Sequence, residues 1–145
     1  MPPIVPRWEW RTFGDEFGEA DSRFAPLAPE RVQESDEVYL LSGTGDNVKV
    51  RDKLMDIKVL REVDQDGLEQ WTPVMKAGFP LPATEVAKVL QALGLPQPGS
   101  LRDGDTQDAL LPQFAAPGGP VRRVHVHKRR IRYTVGGCMA ELSEV

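Results

Sequence analysis

The sequence predicts an α+β protein dominated by antiparallel strands, with one main helix. Three observations predict it. Segments such as Trp8-Glu9-Trp10-Arg11, Val48-Lys49-Val50-Arg51 and Val121 to Val135 alternate apolar and charged residues, the pattern of strands with two unlike faces. Turn clusters rich in Gly, Asp and Asn separate these segments at short intervals. Only Pro82 to Leu93 carries an apolar stripe at helical spacing, followed by a glycine stop.

The elements follow in order. Residues 4–13 read as a first strand, with Trp8 and Trp10 on one face and Arg7, Glu9 and Arg11 on the other. Residues 14–35, rich in Gly, Pro, Ala and acids, read as a loop with one helical turn. Glu37 to Ser42 is a second strand, Ser42 to Asn47 a turn, Asn47 to Asp52 a third strand and Met55 to Val63 a fourth. Asp64-Gln65-Asp66-Gly67 turns the chain into Leu68 to Lys76, a fifth strand that Pro73 interrupts or places at an edge. In the helix, Thr84 is the expected cap, and Val86, Val89, Leu90 and Leu93 form the stripe. Gly94 stops it, with Pro96 just beyond. Residues 95–120 are rich in Pro and Gly, with a short helix around Thr106 to Leu111. Val121 to Val135 is the longest strand, and Gly136-Gly137 turns it into a return strand, Cys138 to Val145.

No repeat or linker divides the chain, so residues 1–145 read as a single domain. The strand pattern runs to the last residue, which is also how a chain truncated at its C-terminus would look. Composition is ordinary for a globular protein, at 40% hydrophobic and 28% charged residues. No apolar run is long enough to cross a bilayer, and the N-terminus lacks a signal-peptide core. With Cys138 alone there is no internal disulfide. The expectation is a cytoplasmic protein without a membrane partner.

The net charge of -4 hides an asymmetry. Asp15 to Glu37 is acidic, and Arg122 to Arg132 is basic. The overall balance argues against general DNA coating but leaves room for a focused anion pocket. Nucleic acid is further disfavoured because Trp8, Trp10 and Tyr133 fall on the strand faces opposite Arg11 and Arg132, whereas single-strand readers stack bases beside their cations.

Gly43-Thr44-Gly45 lacks the Gly-Lys-Ser/Thr of a phosphate loop and leads into a strand, so it reads as a hairpin turn. His125 and His127 share a strand face but sit among Arg and Lys, which favours a surface role over a metal site. Cys138 reads as a small core residue. No nucleophile set is visible.

The cations carry the signal. Arg11, Lys49, Arg51, Lys58, Lys128, Arg130 and Arg132 share one surface if the sheet curls, and Arg and Lys together suit phosphate oxygens. Glu9, Glu62, Glu141 and Glu144 lie in the same strands, and such carboxylates among cations are ligands for Mg²⁺ or Mn²⁺. Any half-exposed sheet shows polar residues on its wet face. The skew toward Arg and Lys across the set is what favours an anion.

These residues bring a family into view. The helix ending Leu93-Gly94-Leu95, then Lys128-Arg129-Arg130-Ile131-Arg132-Tyr133, then Gly136-Gly137 and a strand ending Leu142-Ser143-Glu144-Val145, resembles the CYTH superfamily, the triphosphate tunnel metalloenzymes. Asn47-Val48-Lys49-Val50-Arg51 is similar to the family's basic third strand and Asp56-Ile57-Lys58 to the strand after it. Trp8-Glu9-Trp10-Arg11 sits where a Glu-x-Glu-x-Lys signature belongs. That signature is broken by Arg7 and Arg11, an expected Asp near the chain's end is Ser143, and the family's closing strand is absent. The resemblance implies an antiparallel β-barrel or tunnel with the main helix packed outside. Arg11, Lys49, Arg51, Lys58, Lys128, Arg130 and Arg132 would bind a triphosphate or polyphosphate in it. Glu9, Glu141 and Glu144 would hold Mg²⁺ or Mn²⁺ for hydrolysis of the terminal phosphate. Trp8, Trp10, Val48, Val50, Ile131 and Tyr133 would pack outward against helices. A non-catalytic phosphate-binding module of a larger protein is the alternative, and a homodimer that completes a half-built barrel is open.

Overall fold

The computed structural model describes residues 7–98 and 106–145. The protein is α+β. Its strands are β1 (Arg7–Glu9), β2 (Arg31–Leu41), β3 (Asn47–Arg51), β4 (Leu54–Val63), β5 (Glu69–Gly78), β6 (Arg122–Val135) and β7 (Cys138–Glu144). Its helices are α1 (Glu19–Phe24), α2 (Ala83–Leu93) and α3 (Gln107–Phe114). One seven-stranded antiparallel sheet runs in the order β1-β5-β4-β3-β2-β6-β7. The chain forms two compact units, one of residues 1–10 and 37–126, the other of residues 11–36 and 127–145.

The first unit is built on the β3-β4-β5 meander. Alternation turns Val38, Leu40, Val48, Val50, Met55 and Ile57 to one face, where they join Val86, Val89, Leu90 and Leu93 of α2 and Leu110, Leu111 and Phe114 of α3 in one core. Leu40, Met55, Ile57 and Leu81 are fully buried, each worth roughly 1.5–3 kcal/mol relative to exposure. Pro82, rather than Thr84, occupies the cap position of α2, and its carbonyl accepts from the Glu85 and Val86 amides. Proline is tolerated there because a residue ahead of the first helical turn needs no intrahelical N–H. Gly94 ends α2 in the left-handed conformation (φ 69°), and the Leu95 amide closes back on the Leu90 carbonyl, a Schellman ending. Thr106 caps α3 by accepting from the Ala109 amide.

Pro73 is accommodated inside β5, where the pairing with β4 slips between Met75 and Pro73. Among the described residues, β1 pairs with Glu69, Gln70 and Trp71 of β5. The first strand is shorter than expected. Residues 4–6 lie outside the described residues, and Trp10 and Arg11 lie beyond the end of β1. Trp8 and Trp10 are accordingly exposed, at 45% and 66%, rather than packed under a helix.

In the second unit, β6 and β7 form the expected hairpin around Gly136 and Gly137, both at positive φ. The Phe24 ring at the end of α1 meets the buried Tyr133 ring at 5.1 Å between centroids. The Glu30 amide donates to the Arg132 carbonyl, and the Thr134 hydroxyl donates to the Glu30 carboxylate. β2 therefore begins at Arg31, six residues earlier than its apolar pattern suggested. Cys138 is exposed rather than in the core, because it opens the edge strand directly after the turn.

Candidate anion-binding face

The face of the first unit opposite its core is charged. β2 places Glu37 and Tyr39 there, β3 places Asn47, Lys49 and Arg51, and β4 places Asp56 and Lys58. Strand register lines these up in rows. Tyr39 lies opposite Lys49, Lys49 opposite Asp56, Asp56 opposite Lys76, and Asn47 opposite Lys58.

Lys49 is held at the centre of this face. Its ammonium is 3.3 Å from a Glu37 carboxylate oxygen, with side chains only 12% and 1% exposed. The Tyr39 hydroxyl donates to the same oxygen at 3.1 Å, and the Lys49 ammonium stands 5.7 Å from the centre of the Tyr39 ring. Burial pushes the Lys49 pKa below its usual value. Glu37 opposes that push, the neighbouring Arg51 guanidinium adds to it, and Asp56 counters more weakly. Arg51 and Lys58 are half-buried. Among the described residues, neither has a carboxylate within ion-pair distance.

The remaining candidates belong to other places. In the second unit Lys128, Arg130 and Arg132 share one face of β6, all half-buried. Arg130 is bound to Glu141 at 2.9 Å, and Arg132 donates its Nε–H to the Met139 sulfur. Lys128 also has a partner. Arg11 lies in the exposed segment after β1 and is engaged as well. Glu9 is half-buried in β1.

Glu141 and Glu144 stand on opposite faces of β7. Glu141 meets Arg130 and accepts from the Ser143 hydroxyl, whereas Glu144 faces Arg129 at 3.7 Å. The two acids cannot grip one cation together. Among the described residues, no three His, Cys, Asp or Glu side chains gather as a metal-ligand group.

On the other face of β6, His127 places Nδ1 2.9 Å from Asp36 and Nε2 3.7 Å from Glu34. Both histidines are exposed. Gly43 to Gly45 is a hairpin turn, and its Thr44 hydroxyl donates to the Ala92 carbonyl at the end of α2.

Sequence reasoning missed Glu37, Tyr39 and Asp56. Glu37 closes an acidic run, Glu34-Ser35-Asp36-Glu37, that reads as solvated. Its signal was parity: it alternates with Val38, on the same side as Tyr39. No helix among the described residues is long and apolar enough to cross a membrane. Comparison with family models, with curated proteins and with solved structures found no match.

Proposed function

We propose that the charged face of β2, β3 and β4 binds a phosphate-rich anion, an inorganic or organic triphosphate or a polyphosphate. The observation that carries this reading is the pair of half-buried cations, Arg51 and Lys58, which have no carboxylate within ion-pair distance among the described residues and lie beside the Lys49–Glu37 pair. Partly desolvating a cation and leaving it unpaired costs free energy, which a bound anion would return. Arg51 can offer two parallel N–H groups to one phosphate, and Lys58 a mobile point charge to the next. β6 repeats the arrangement with Lys128, Arg130 and Arg132, for which an anion would have to compete with Glu141. The seven-stranded antiparallel sheet is compatible with a CYTH-like tunnel, and that supports the same class of ligand.

Calorimetric titration with tripolyphosphate is the test. Arg51→Met and Lys58→Met are each expected to weaken binding about tenfold, the worth of one charge-assisted hydrogen bond. Unchanged affinity in both variants, or no binding by the unaltered protein, overturns the reading.

Metal-dependent hydrolysis is a second reading, and the resemblance alone favours it. Mg²⁺ or Mn²⁺ would supply charge neutralisation at the phosphate oxygens. The titration repeated with each ion, alongside an assay of released phosphate, separates the two. Binding without release assigns a non-catalytic module.

A further inference from the structure

An anion-binding face gains nothing from a buried carboxylate as such. Glu37 is nevertheless fully buried within this one, and a buried ion pair is weak evidence for stability alone. Its geometry suggests another task. The carboxylate oxygen that meets Lys49 also accepts from Tyr39, so its position is fixed from two sides. Lys49 and Arg51 are two residues apart on β3 and share one face. Their like charges repel, and burial makes that repulsion costlier.

We infer that Glu37 is a positioning residue of the anion-binding face, holding the Lys49 ammonium fixed and charged beside Arg51 so that both cations of β3 serve one anion. This rests on the anion-binding reading above. Within this unit the groups that face Lys49 are Glu37 and Tyr39 from β2, Arg51 from β3 and Asp56 from β4. The two acids act in one direction, and Arg51 together with burial acts in the other. Glu37 is the stronger of the two acids toward Lys49 and the one in direct contact.

The test follows Lys49 itself. In protein labelled at lysine with ¹⁵N, its ammonium signal is identified by its loss in Lys49→Arg and followed from neutral to alkaline pH. Glu37→Gln is expected to move the Lys49 titration to lower pH. Glu37→Asp keeps the charge but withdraws it by one methylene, so it moves the titration less, in the same direction, and serves if Glu37→Gln fails to fold. Tripolyphosphate affinity should then fall off at lower pH in Glu37→Gln than in the unaltered protein. In the double variant Glu37→Gln/Lys49→Arg the fall-off should begin at no lower pH than in the unaltered protein, because arginine stays charged. A Lys49 titration unmoved in both Glu37 variants overturns the role of Glu37 while leaving the anion site standing. So does a fall-off that stays at the lower pH in the double variant. Failure of the unaltered protein to bind tripolyphosphate at neutral pH overturns the site and this inference with it.

Discussion

The Thr44 hydroxyl donates to the Ala92 carbonyl at 2.6 Å, tying the β2–β3 turn to the last turn of α2. Helix ends leave carbonyls without intrahelical partners, and this bond satisfies one of them. Thr44→Val is therefore expected to cost about 1 kcal/mol in chemical denaturation. Gly94→Ala should cost about as much or more, because φ there is 69° and the added Cβ would lie 3.1 Å from the Thr44 methyl. The two substitutions share a contact, so their effects should fail to add, which a double-mutant cycle would show.

Lys49 and Arg130 both hold carboxylates, but in different surroundings. The Lys49–Glu37 pair is almost wholly withdrawn from water, whereas the Arg130 and Glu141 side chains keep 26% and 38% exposure. Lys49→Met leaves a buried carboxylate short of its cation, a change worth about 3–5 kcal/mol. The low end is expected, since Glu37 has further interactions. Arg130→Met should cost under about 1 kcal/mol, as solvent screens that pair. Equal losses in urea unfolding would show that burial does not set the difference.

His127 gives the fold a pH dependence. With a carboxylate facing each ring nitrogen, only the doubly protonated imidazolium can donate to both. The hydrogen bond to Asp36 chiefly raises its pKa, helped by the charge of Asp36 and by Glu34, against a smaller loss from desolvation. His125 and Arg129 flank it on the same face of β6. The raised folded value means that the stabilisation is fully present below the ordinary 6.5. It is lost as pH rises through the folded value. His127→Gln should flatten the stability profile across that window, and NMR titration of the ring should show the raised value directly.

Glu141 acts on the acid side. Burial pushes its pKa up, but hydrogen bonds from Arg130 and Ser143 and the charges of Arg130 and Lys128 outweigh that and leave it below 4.5. Its contribution is present above the ordinary carboxylate value and lost as pH falls through the lower folded one. Glu141→Gln should remove that part of the acid limb. An acid unfolding midpoint unchanged by Glu141→Gln would count against it.

The meander, α2 and the β6–β7 hairpin were legible because local signals agreed there: period-two alternation, an apolar stripe, and glycines at positive φ at Gly67, Gly94, Gly136 and Gly137. Where the sequence misled, long-range packing had decided. The Trp8-Glu9-Trp10-Arg11 alternation promised a full strand, yet β1 ends at Glu9. Residues 31–36 are polar enough to read as loop, and become strand because β6 lies beside them. Of the candidate cations, alternation sorted Lys49, Arg51 and Lys58 correctly onto one face. It could not reveal that Lys49 is already answered by a carboxylate from another strand, because that depends on register, which a turn and a core jointly fix.

The sheet order also bears on how the chain reaches this structure. β3, β4 and β5 are joined in sequence by short turns, but β2 finds β6 only across a long stretch of chain, with Asp36 and His127 separated by 91 positions. Closing so large a loop is entropically slow compared with zipping neighbouring hairpins. Conservative substitutions at Val50 or Ile57 should therefore retard refolding, whereas those at Ile131 should chiefly hasten unfolding. Until β6 arrives, the growing meander would carry a raw edge along β2, making concentration during refolding a hazard for self-association.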